Sequence, residues 1–218
     1  MDYIKSDKPI YIGIDETRLG FNSSTVITAA FTQNPDLVSI VSDCSLLKSK
    51  DFLKIAEKNK TDLNFPSYKS MRKSGLMSYR WMRINKGRFK NIQEIQHSYI
   101  AFMISSLNFD PQNVFVYIDA FENNLQKSKF LIKEILHLNN YLIPDENIDI
   151  CGLGDKQVPI INYADLLAFE VGLDNFNKFS DKQIFFPETL NKVPINGNRV
   201  CELPKQFRDD LETALLKW

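Results

Sequence analysis

The stretch Ile10 to Glu16, I-Y-I-G-I-D-E, decides how the rest of the chain is read. Apolar, β-branched and aromatic residues run without a break into two acids. A continuous apolar run this short predicts a strand buried on both faces. Carboxylates at the end of such a strand are costly to desolvate unless something compensates them. A divalent cation, which takes oxygen ligands, is the common compensation. Two later acids share the setting: Asp119 follows V-F-V-Y-I, and Asp165 lies inside I-I-N-Y-A-D-L-L-A-F. Three apolar segments that each deliver an acid predict one acidic metal site.

Outward from the first strand, S-T-V-I-T-A-A-F-T predicts a second strand at Ser24 to Thr32, and a third is expected at Leu37 to Ser42 after N-P-D. Short polar links make these three an antiparallel meander. Residues 45–90 change character, being polar, charged and weakly periodic, and read as an insertion. Helical spacing returns at Ile92 to Leu107, followed by a fourth buried strand at Val114 to Ile118. Leu125 to Leu138 is the next helix, with Asn139-Asn140 as its stop. A fifth strand at Ile148 to Leu153, a helix at Ile161 to Phe176 and a closing helix at Gln206 to Trp218 complete the chain. The order β-β-β-α-β-α-β-α predicts one α/β domain, a mixed five-stranded sheet with helices on its faces. In it the first strand neighbours the fourth. That order belongs to the ribonuclease H-like fold, although a fold does not fix a function.

Four acids carry the chemistry: Asp15, Glu16, Asp119 and Asp165. Two metal ions about 4 Å apart clamp the attacking and leaving oxygens in phosphodiester cleavage, and a few carboxylates suffice to hold Mg²⁺ or Mn²⁺. Neighbours on a regular strand face opposite sides, so Glu16 joins Asp15 at one site only where the strand has ended. Asp119 has a competing role as a helix cap, for which Asn123 and Asn124 are better placed. Asp155, in G-L-G-D-K, reads as a turn aspartate or an outer metal ligand. Glu170 falls off the Asp165 face and reads as structural, as do His97 and His137.

The opening Gly13-Ile14-Asp15-Glu16 resembles the G-I-D-E start of type 2 ribonucleases H, and V-Y-I-D-A-F resembles that family's strand-borne aspartate, here Asp119. Where the family continues with A-G-R-G, which recognises the ribose 2′-hydroxyl at an RNA–DNA junction, this chain has T-R-L-G at Thr17 to Gly20, with Arg18 as a shifted counterpart. The later G-D-K-Q-V-P-I-I-N-Y-A-D-L-L-A-F is similar to the D-S-K … L-Q-x-A-D-L-x-A ending of an uncharacterised prokaryotic family assigned to the ribonuclease H-like superfamily. That resemblance matches Asp155 and Lys156 to D-S-K and Asp165 to the helix aspartate. Together the resemblances imply a metal-dependent nuclease. Ribonuclease H action on RNA–DNA hybrids and a non-catalytic nucleic-acid-binding module are the alternatives.

Composition narrows the partners. The 27 basic and 27 acidic residues cancel, so attraction to nucleic acid has to be local. From Lys69 to Lys90 there are eight basic residues and no acid, with Tyr68, Tyr79, Trp81 and Phe89 interleaved. Cations for phosphates and aromatics for unpaired bases predict a rim for RNA, DNA or a hybrid, with Arg80, Arg83 and Arg88 central and Arg18 and Lys156 closer to the acids. The opposing reading has Trp81 and Met82 anchoring the insertion on the core. Cys44, Cys151 and Cys201 lack metal-ligand spacing and are expected as free thiols in a cytoplasmic protein. No run approaches the roughly 18 apolar residues of a membrane span. Eight glycines without a phosphate loop argue against an actin-like ATPase, which also opens I-G-I-D.

Overall fold

The structure, a computed structural model, describes residues 3–19, 24–41, 46–51, 54, 77–85, 92–173, 182–184, 201 and 203–218. Five strands form one mixed sheet: β1 (Ile10–Leu19), β2 (Ser24–Thr32), β3 (Ser78–Asn85), β4 (Val114–Asp119) and β5 (Ile148–Cys151), in the spatial order β3-β2-β1-β4-β5. The meander β1-β2-β3 is antiparallel, and β1, β4 and β5 run parallel. The expected neighbouring of the first and fourth strands is therefore observed.

The helices are α1 (Ile92–Ser106), α2 (Leu125–Leu138), the single turn α3 (Gly154–Gln157), α4 (Pro159–Leu173) and α5 (Lys205–Lys217). Alternation along the strands divides the core. Ile10, Ile12 and Ile14 of β1, with Val116 and Ile118 of β4, pack in one cluster with α1, α2 and α5. Tyr11 and Tyr117, one residue out of phase, pack against α4 through Ile160, Tyr163 and Ala164. Asn124 caps α2 by accepting from the Lys127 amide at 3.0 Å, which frees Asp119 from that duty. Asn140, in the left-handed region at φ 58°, follows the helix end. His97 Nε2, buried on α1, lies 3.2 Å from Glu122 Oε1 and 3.3 Å from Ser128 Oγ, a structural tie to α2. No helix among the described residues is long and apolar enough to cross a membrane.

The third strand is a correction. The segment expected at Leu37 to Ser42 begins in a 3-10 turn at Pro35–Val38, where the Asn34 side chain accepts from the Asp36 amide and Leu37 packs beneath α4. The turn chemistry of N-P-D carries forward into the apolar residues. The strand is instead Ser78–Asn85, inside the segment read as an insertion, so the inserted residues fall between β2 and β3. Trp81 and Met82 are fully buried on opposite faces, Trp81 against Val26, Ala168 and Val171 and Met82 in the larger cluster. The outer edge of β3 is covered as well. Ile184 and Cys201 donate their amides to the Trp81 and Arg83 carbonyls at 2.7 and 2.8 Å, which removes a free sheet edge.

Candidate metal centre

The parallel register pairs Ile14 with Ile118, so Asp15 and Asp119 follow at the same level on adjacent strands. Both share the phase of Tyr11 and Tyr117 and point to the α4 side of the sheet. Beyond β5 the chain turns through Gly152-Leu153 into α3, which returns Asp155 over the strand ends. Each of Asp15, Asp119 and Asp155 offers a carboxylate oxygen, and the three oxygens lie within 4.8 Å of one another.

Two glycines make this convergence sterically possible. A Cβ on Gly13 would stand 2.5 Å from the Ile160 carbonyl oxygen, so only glycine lets the start of α4 settle on β1. A Cβ on Gly154 would meet Ile161 Cδ1 at 2.6 Å and Asp119 Oδ1 at 3.0 Å. The bare backbone there lets the Asp155 amide donate to Asp119 Oδ1 at 3.3 Å.

Charge repulsion and burial shape the site. Burial, then the fields of Asp119, Asp165, Glu16 and Asp155, raise the Asp15 carboxyl well above its ordinary range. Burial and Asp155 raise Asp119 to about 6, opposed by the amides of Asp155 and Gly154 and by Lys48. Burial raises Asp165, opposed by two hydrogen bonds from Ser49, amide to Oδ2 at 2.6 Å and hydroxyl to Oδ1 at 2.7 Å. One cation is already present: Lys48 Nζ pairs with Asp155 Oδ2. Burial lowers the Lys48 ammonium's pKa, but its bond to Asp155 and the fields of Asp155, Asp119 and Asp15 outweigh burial and raise it. The other Asp155 oxygen, Oδ1, is buried without a hydrogen-bond partner.

The predicted residues separate on this geometry. Asp15 and Asp119 belong to the close trio. Asp165 is near enough for its charge to act on Asp15, but Asp155 takes the third place, and both Asp165 oxygens are engaged by Ser49. Glu16 sits within a strand that continues to Leu19, paired opposite Ile27, so it has the phase of Ile14 and points to the other face. Sharing one site with Asp15 required the strand to end at Glu16, and it does not. Arg80 donates to the Tyr79 carbonyl at 2.9 Å, and half-buried Arg83 is lowered by burial; both stand in β3 and not in a solvated loop. The backbone of Arg18 pairs with Thr25, while its side chain lies outside the described part of the structure. Arg88, with Lys69, Arg72, Lys73, Lys86 and Lys90, lies outside the described residues, as does Cys44. Lys156 is half-buried, and its carbonyl accepts from the Leu46 amide at 3.3 Å.

Sequence reasoning missed Lys48 and Ser49 and left Asp155 between a turn residue and an outer metal ligand. Asp155 carried a signal, because two glycines flank the preceding leucine and the stretch follows a strand; Lys48 carried none. Cys151 and Cys201 form no disulfide among the described residues. Burial, then Asp149 and Asp119, push the Cys151 thiol up to about 12, which removes it as a nucleophile near neutral pH. No family model matches the chain, and no curated protein is similar to it in sequence.

Proposed function

We propose that the protein is a metal-dependent nuclease of the ribonuclease H-like class, hydrolysing phosphodiester bonds in nucleic acid. The observation that carries this reading is the approach of Asp15, Asp119 and Asp155 to within 4.8 Å just past the last residues paired between β1 and β4. The strand order β3-β2-β1-β4-β5, with only β2 antiparallel to both its neighbours, supports the fold half of the reading.

The donor set fits a hard divalent ion. Three carboxylates supply oxygen ligands in a site that raises Asp15 and Asp119, and Asp155 Oδ1 is a buried acceptor awaiting a partner. Asp15, Asp119 and Asp155 would hold Mg²⁺ or Mn²⁺. When bound, the ion supplies Lewis-acid polarisation of a phosphate and acidification of a water. The chain's own residues do the rest. The Gly154 and Asp155 amides fix Asp119, and Ser49 fixes Asp165. Asn162 ties α4 to the segment over the site by donating to the Leu47 carbonyl at 2.8 Å and the Asp155 carbonyl at 2.7 Å. Arg83, in the phase of Trp81, places positive charge on the α4 side of β3, two strands from Asp15, whereas Arg80 has the phase of Met82 and faces the other side.

The test is cleavage of end-labelled RNA, DNA and RNA–DNA hybrid with Mg²⁺ or Mn²⁺. The wild type cuts at least one of them, EDTA abolishes the cutting, and Asp119→Asn slows it more than about 100-fold, beyond what the loss of an outer-sphere partner costs. Cleavage that survives EDTA, or persists in Asp119→Asn, sinks the reading.

A further inference from the structure

Lys48 is held over the carboxylates from both sides. Before it, the Leu47 carbonyl accepts from Asn162; after it, the Ser49 amide and hydroxyl donate to Asp165. Both anchors lie on α4, and Asn162 also holds the Asp155 carbonyl. Further out, the Val41 and Leu46 amides donate to the Gln157 and Lys156 carbonyls. These bonds fix the backbone of Lys48 and leave its stem free to aim the ammonium at Asp155 Oδ2. The Asp155 side chain is 7% exposed and that of Lys48 31%, so the carboxylate is fixed in the interior while the ammonium has a way out to solvent.

An ammonium is a compact charge with three donors and no acceptor. Held at Oδ2, it puts a positive charge on the same carboxylate whose buried Oδ1 is open to a divalent ion, and the two cations repel across that carboxylate. Resting on the metal reading above, we propose that Lys48 is the built-in counter-cation of the cluster: it holds Asp155 when no divalent ion is bound and competes with that ion for Asp155. The metal then binds only the fraction of molecules in which Lys48 has left, and its apparent affinity falls by that fraction.

The experiment is titration with Mn²⁺ at pH 7.5, followed by electron paramagnetic resonance, for wild type, Lys48→Met and Lys48→Arg. A pair formed in nine molecules of ten predicts that Lys48→Met, similar in length but uncharged, binds Mn²⁺ about tenfold more tightly. Lys48→Arg keeps the charge and stays near wild type. Equal or weaker binding by Lys48→Met overturns the proposal. A second measurement needs no variant: acetic anhydride labelling of wild-type Lys48, read by mass spectrometry, rises several-fold when Mn²⁺ is added, and an unchanged yield overturns the competition. Absence of Mn²⁺ binding in all three proteins is a distinct result, which removes the metal reading itself and this inference with it.

Discussion

Asp119 shows how much one residue's environment decides. Its carboxyl is raised to about 6 by burial and by Asp155, so the folded chain holds that proton more tightly than the unfolded chain does. A raised acid favours folding below the ordinary range near 3.8, and that contribution is lost as pH rises through about 6. Asparagine mimics the protonated acid and keeps an oxygen for the Asp155 amide. Asp119→Asn is therefore expected to raise the melting temperature of the metal-free protein at pH 7.5 and to raise it by less at pH 5, which lies inside the window over which the contribution is lost. Equal shifts at both pH values in a thermal scan would contradict this account. Ser49 acts in the opposite sense, supplying two donors to a buried carboxylate. Ser49→Ala removes one charge-assisted bond and is expected to cost about 1.5 to 3 kcal/mol in urea unfolding at neutral pH. A loss below a few tenths would show that the Asp165 contact is dispensable.

At the scale of elements, the packing of α4 on β1 brings Asp165 and Asn162 to the strand ends. That contact depends on Gly13, whose missing side chain admits the Ile160 backbone. Gly13→Ala puts a methyl against a carbonyl that has no rotamer to escape into, so the helix itself has to shift. Overpacking of this kind costs about 1 to 3 kcal/mol. The expected outcome is a lower denaturation midpoint together with weaker Mn²⁺ binding, because the displaced helix carries the anchors of the Lys48 segment. Lost stability with unchanged Mn²⁺ affinity would separate the helix from the site. The β3 strand makes a different point: its interleaved arginines and aromatics read as a nucleic-acid rim, yet Trp81 and Met82 are fully buried on its two faces, as the opposing reading had it.

At the scale of the whole molecule, the site is assembled from separate elements of one sheet. Asp15, Asp119 and Asp155 come from β1, β4 and the turn after β5, so the cluster exists only when the sheet is assembled. A ligand that binds the folded chain alone stabilises all of it, by about 2.7 kcal/mol at 100 times its dissociation constant. Mn²⁺ or Ca²⁺ is thus expected to raise the melting temperature at pH 7.5, with no rise in a protein carrying Asp15→Asn and Asp155→Asn together. An equal rise in that double variant would place the ion elsewhere.

The sequence by itself determined the strands that alternate or run apolar without interruption: β1, β2, β4 and β5 were legible because burial on both faces leaves a continuous apolar signature. It also determined Asp15 and Asp119, since an acid that closes such a run conflicts with its surroundings. The helix stop at Asn139-Asn140 and the cap at Asn124 were legible from local turn and capping chemistry. Only the tertiary structure decided that the third strand lies at Ser78–Asn85, because its burial comes from α4 and the neighbouring strand and not from its own composition. Only it decided that Asp155 joins Asp15 and Asp119 while Glu16 turns away, because strand phase and the length of β1 set which carboxylates meet. Lys48 lay furthest from reach. Its role follows from bonds to residues more than a hundred positions later in the chain, and no local pattern encodes a contact at that separation.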